Sequence, residues 1–116
     1  MSCVFPKSLR LLKRQEFQQT WRLGCKKHTP HFIVCFYRHG GDTVRIGITA
    51  SRKTGNAVAR NRIKRLVREY FRRHQNNFQP GLDLSVIAKN GAARLDYVAL
   101  SGELGGLFRD EGMITP

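Results

Sequence analysis

Cys25, His28, His31 and Cys35 place four metal-ligand residue types within one short stretch. The ligand types suit a Cys2His2 zinc site, but the spacing matches no familiar finger pattern. On an extended strand His31 and Cys35 project to one face and stand about 13 Å apart, too far to share an ion. The expectation is therefore no metal. A protein-based nuclease would need clustered carboxylates to hold a metal pair. Here Glu16, Asp42, Glu69, Asp83, Asp96 and Glu103 are scattered singly, and Asp110-Glu111 fall near the chain end. No His stands at a suggestive spacing from an acid, and His74 reads as a cation at a helix C-terminus. No catalytic residue is expected.

The chemistry that the residues do support is polyanion binding. From Ser51-Arg52-Lys53 through Arg72-Arg73 the chain is dense in Arg and Lys, with Glu69 as the one acid. At about 100° per residue, Ile63, Leu66, Val67, Tyr70 and Phe71 form one apolar sector of a helix. Asn61, Lys64, Arg65, Arg68 and Arg72 fall opposite. Arg62 and Arg73 sit on a flank with Glu69, and Arg60 lies at the apolar edge, where its head must reach past its own stem. A solvated face normally mixes signs to gain i,i+4 pairs. So many like charges cost stability unless a partner neutralises them.

Composition agrees. The chain has 116 residues, 41% of them hydrophobic, with 21 Lys and Arg against 8 Asp and Glu, a net charge of +13. That permits one folded domain and points to nucleic acid. No apolar run approaches the roughly 18 residues of a spanning helix. Met1 to Arg14 lacks an apolar segment of signal-peptide length, so the expected compartment is the cytoplasm, and three cysteines without a framework fit a reducing one. No membrane and no protein partner is expected.

The elements that must position these residues follow from patterning. Residues 14–23 read as a helix stopped by Gly24 at a C′-like position. His31–Arg38 and Thr43–Thr49 read as strands, with a hairpin turn signal at Gly40-Gly41-Asp42. A basic loop at 51–55 precedes the long helix from about Asn56 to His74. Pro80-Gly81 breaks the chain before a buried strand at 83–89. Asp96 reads as the N-cap of a last helix, with Leu95 and Leu100 at hydrophobic-staple spacing and a stripe of Leu100, Leu104, Leu107 and Phe108. Residues 1–8 and 110–116 are expected to be flexible. The order is α-β-β-(β)-α-β-α, an α/β (α+β) two-layer sandwich in a single domain spanning 1–116.

The run Ser51-Arg52-Lys53, Gly55-Asn56-Ala57-Val58, Arg60-Asn61-Arg62 resembles the signature of the protein subunit of bacterial ribonuclease P. The resemblance also covers Phe17 and Trp21, the strand pattern, Ile87–Lys89, and the closing Leu107-Phe108-Arg109. It implies a left-handed β-α-β crossover around the long helix, against the general rule of handedness. It implies an accessory to a catalytic RNA that removes the 5′ leader of precursor tRNA, with Mg2+ held by the RNA subunit and none bound by the protein. The implied partners are the ribonuclease P RNA and precursor tRNA. The implied RNA contacts are Arg52, Lys53, Asn56, Arg60, Asn61, Arg62, Lys64, Arg65, Arg68 and Arg72. The implied leader cleft uses Phe17, Trp21 and the position of Cys35; the i,i+4 spacing of Phe17 and Trp21 alone favours a core, and the resemblance sets base stacking beside that reading. Cys35 stands where the family often places a cleft aromatic, so either the leader loses one stacking partner there or neighbouring Phe36 or Tyr37 substitutes imperfectly, since adjacent strand residues face opposite ways. Position 21 is Trp where Phe is usual. The remaining reading is a ribosomal or general RNA-binding protein.

Overall fold

The computed structural model describes residues 20–114. The long helix and the sheet set the architecture. Strands β1 (Cys25–His28), β2 (Phe32–Arg38) and β3 (Val44–Thr49) precede helix α1 (Ala57–His74). Strand β4 (Leu82–Ala88) and helix α2 (Tyr97–Asp110) follow. The sheet order is β1-β2-β4-β3. β4 runs antiparallel to β2 and parallel to β3, so β3-α1-β4 is a crossover unit.

One expectation fails here. The glycines at 40–41 turn the chain, but β2 and β3 do not form a hairpin, because β4 lies between them. β4 is buried along almost its whole length, on both faces. Such a strand is stabilised by two flanking partners, and it takes them by separating β2 from β3. The entry of β4 closes over the turn through Gly81 N–H to Thr43 O, 3.1 Å, and His39 N–H to Gly81 O, 2.8 Å. Gly81 has φ +82°, and a Cβ there would lie 2.8 Å from the Gly41 carbonyl oxygen. The expected order allows a further strand before the long helix but assigns no residues to it, and β1 supplies it. It is four exposed residues, Cys-Lys-Lys-His, without an apolar pattern, and backbone pairing to β2 defines it.

Alternation then divides the sheet. Phe32, Val34, Phe36, Ile46, Leu82, Leu84 and Val86 face Ile63, Val67, Tyr70 and Phe71 of α1 and Leu100, Leu104 and Phe108 of α2 in one core. Phe71, Phe78 and Phe108 pack ring to ring at centroid distances of 5.2–5.6 Å. The stripe read for α2 holds, and Asp96 Oδ1 accepts the Ala99 N–H at 2.8 Å as its cap. The chain end departs from expectation. Met113 is fully buried, Gln79 N–H donates to its carbonyl at 2.8 Å, and Ile114 bridges to Phe78. An apolar Met-Ile pair beside the aromatic cluster outweighs terminal fraying. Residues 1–8 lie outside the described residues.

Residues 20–23 are the end of a helix, as expected. Gly24 is not left-handed there, so it is no C′ glycine. Its role is close approach, since a Cβ would collide with the Phe36 carbonyl oxygen.

Candidate RNA-binding surface

The basic loop is held from within. Arg52–Thr54 is a turn of 3-10 helix. The Thr54 hydroxyl donates to Ser51 O at 2.6 Å, and Thr54 N–H to the same oxygen at 3.0 Å. Gly55, φ +141°, lets the backbone turn into α1. Asn56 then caps α1, its Oδ1 accepting the Ala59 N–H at 2.9 Å. An expected RNA contact is thus occupied at its side-chain oxygen by capping, which supplies about 1 kcal/mol to such helices. Arg52 and Lys53 stay exposed on the turn.

Packing separates the α1 cations. Asn61 and Arg65 are exposed and Lys64 is half-buried, all without an ion pair among the described residues; Arg68 is also exposed. Arg62 is turned inward. Its Nη1 donates to Ala93 O and to Leu95 O, both at 2.8 Å, tying α1 to the turn before α2. Arg60 is half-buried, and its Nε is buried with no hydrogen-bond partner among the described residues. Arg72 donates from Nε to Glu69 Oε2 at 2.9 Å and from Nη2 to Oε1, and Arg73 Nε reaches Oε1 at 2.7 Å. These hydrogen bonds hold the Glu69 carboxyl down at about 2. His74 sits at the helix C-terminus as expected, its Nδ1 2.8 Å from the Tyr70 carbonyl.

The aromatic cleft residues are placed in part. Phe17 lies outside the described residues. Trp21 is 46% exposed, with the Lys26 ammonium 4.4 Å from its ring centroid. Cys35 shares its sheet row with Lys26 and Ser85, on the face away from the α1–α2 core. It is fully buried, and burial pushes its thiol above the ordinary range, partly offset by Lys26. Phe36 belongs to the core, so it replaces no cleft aromatic. Tyr37, two residues beyond Cys35, shares its face and is half-buried. On that same face Arg45 grips the buried Asp83 through Nε at 2.9 Å and Nη2 at 2.7 Å.

The suggested metal ligands separate. Cys25 pairs across from Phe36 on the core side, opposite to Cys35. His31 instead meets Glu103. Its Nδ1 lies 2.8 Å from Oε1, and its N–H donates to Oε2 at 2.9 Å, beside the Thr29 hydroxyl at 2.5 Å. These donors hold the Glu103 carboxyl below its ordinary value against the opposing effect of burial. The sequence carried no sign of this latch, whose partners are some 70 residues apart. Among the described residues no group of three or more His, Cys, Asp or Glu could hold a metal ion.

Comparison with known proteins decides the family. The family model for ribonuclease P matches residues 5–111. The chain belongs to the ribonuclease P protein family. It is 48% identical over 101 residues to the ribonuclease P protein component of Geotalea uraniireducens, covering 87% of this chain and 88% of that one. It is 44% identical over 108 residues to that of Desulforapulum autotrophicum, covering 93% and 92%. The fold superposes on the Staphylococcus aureus ribonuclease P protein with TM-score 0.85 at 30% identity, over 94% of this chain and 100% of that chain. The Thermotoga maritima ribonuclease P protein gives TM-score 0.79 at 33% identity, over 87% and 96%. The mixed α+β fold of this chain, with one four-stranded sheet, is thus shared with solved ribonuclease P proteins.

Proposed function

We propose that this ribonuclease P protein component docks on the ribonuclease P RNA through Arg52, Lys53, Asn61, Lys64 and Arg65, with Arg60 and Arg68 at the margins. The observation that carries this reading is the contrast between cations. Arg62 and Arg72 are tied within the fold and the exposed Arg73 is paired with Glu69, whereas Arg52, Lys53, Lys64 and Arg65 have no acid against them among the described residues. Guanidinium forks suit bidentate contact with phosphate oxygens, and Asn61 suits a phosphate, ribose hydroxyl or base edge. Neutralising phosphates lets RNA subunit and protein assemble at lower Mg2+, and affinity falls with salt by about 0.7–0.9 per phosphate contacted in the log–log slope.

Trp21, together with Phe17, stacks on unpaired bases of the precursor tRNA leader. Such stacking is worth about 1–3 kcal/mol per base. It adds binding for precursor and none for mature tRNA, which favours substrate over product. The RNA subunit with its Mg2+ performs the hydrolysis, and the protein's side chains bind and position. Tyr37, which shares the face of Cys35, extends that surface in place of the core residue Phe36; its half-burial and position two residues from Cys35 support this. The complex works in the cytoplasm.

The test is cleavage of 5′-labelled precursor tRNA by a bacterial ribonuclease P RNA at low Mg2+, with and without this protein. Cleavage at the mature 5′ end only with both present supports the reading. Cleavage by the protein alone overturns it. RNA binding without stimulation favours a general RNA-binding role.

A further inference from the structure

Glu69 is the only acid between Ser51 and His74. It stands at i and the two arginines at i+3 and i+4, so the helix itself brings all three together. Arg72 takes both carboxylate oxygens, and Arg73 takes Oε1. The Arg73 guanidinium also lies over the Tyr97 ring, 4.6 Å from its centroid, which turns it towards α2. The trio carries one net positive charge where two arginines alone would carry two. Arg52, Lys53 and Arg65, by contrast, are exposed with no acid against them among the described residues.

We infer that Glu69 is a specificity-determining residue that withholds Arg72 and Arg73 from RNA and confines phosphate contact to the 52–53 turn and the N-terminal part of α1. The inference rests on the RNA-binding reading above and deepens it. Affinity for arbitrary RNA follows the number of phosphates neutralised, whatever the sequence. A carboxylate that removes contacts from one end of the helix therefore weakens non-cognate binding. A partner shaped to the other end keeps its contacts.

The experiment measures the salt dependence of binding to the ribonuclease P RNA and to an unrelated single-stranded RNA. It uses the full chain and the variants Glu69→Gln, Arg72→Ala, Arg65→Ala and the double variant Glu69→Gln/Arg72→Ala. Gln keeps the shape and loses the charge. Glu69→Gln is expected to steepen the slope on the unrelated RNA by about 0.7 per arginine released. Between 1 M and 0.1 M salt that is about a fivefold gain in relative affinity per contact. Arg72→Ala in the otherwise unaltered chain leaves the slope unchanged, and the double variant loses the part of the gain carried by Arg72. An unchanged slope in Glu69→Gln, or a slope lowered by Arg72→Ala as much as by Arg65→Ala, overturns the inference. Absence of salt-dependent binding in the unaltered chain overturns the RNA-binding reading itself.

Discussion

Replacing Arg62 by alanine separates two accounts of the same residue. As a phosphate ligand it would leave the fold alone when removed. The structure instead gives its Nη1 two carbonyl acceptors, Ala93 and Leu95, at 2.8 Å each, in a part-buried position. A hydrogen bond to a charged group contributes about 1.5–3 kcal/mol, and a carbonyl left unpaired in a buried place costs about 1–3 kcal/mol. One guanidinium nitrogen serves both acceptors, and water reaches part of the site, so the low ends apply. Arg62→Ala is expected to destabilise by about 2–3 kcal/mol. For a domain of this size, each kcal/mol moves Tm by about 4 °C, so the drop is about 8–12 °C. Urea midpoints and thermal melts measure it, alongside the salt slope for RNA binding under conditions where both proteins are folded. A slope equal to that of the unaltered chain agrees with an internal clasp. Stability within about 0.5 kcal/mol of the original, with a slope lowered by about one, would falsify the clasp and return Arg62 to the RNA surface.

Arg65→Ala should behave in the opposite way, with stability held within about 0.5 kcal/mol and the salt slope on ribonuclease P RNA lowered by about one; an unchanged slope would make Arg65 a solvated charge only. Trp21→Ala is expected to weaken precursor tRNA binding by about 1–3 kcal/mol and to leave mature tRNA binding unchanged, as read by titration of both ligands; equal loss for both would point to a folding defect. Glu103 has a folded pKa below its unfolded one, so its contribution is present above the unfolded carboxylate range and is lost as pH falls through the folded value. Urea midpoints should thus fall on acidification below the ordinary carboxylate range by a smaller amount in Glu103→Gln than in the unaltered chain, and superimposable pH profiles would exclude the latch.

Much of this fold is legible in local pattern. The apolar spacing of α1, its Asn56 start, the Asp96 cap and the Leu100–Phe108 stripe each depend on residues within a few positions of one another, and each stands where the pattern put it. What the pattern missed depends on distant partners. The Gly40-Gly41 turn signals a reversal, but only the two-sided burial of β4 reveals that another strand enters between β2 and β3. β1 has no pattern of its own and exists because β2 offers an edge. The tail looked loose because Met113 and Ile114 are two apolar residues among polar ones, and the Phe71–Phe78–Phe108 cluster that receives them is assembled from three separate elements.

The site divides along the same line. Residue type identifies which side chains can meet a phosphate, and on that basis Arg62, Arg65 and Arg72 are alike, although helical angle sets Arg62 on a flank. Their fates differ because their neighbours differ. Arg65 is exposed, with no acid against it among the described residues. Arg62 faces the turn that leads into α2, whose carbonyls at Ala93 and Leu95 have no helix or strand partner to satisfy them. Arg72 finds Glu69 one turn back along its own helix. An i,i+3 pair is readable from sequence in principle, yet its strength is not, since exposed pairs of this kind are usually worth little. Here the carboxylate is shared by two arginines, one of them also resting on Tyr97. It is the packing of α2 against α1 that brings Tyr97 to Arg73, and so a contact between helices, far apart in sequence, helps set which cations of α1 are held by neighbours within the fold.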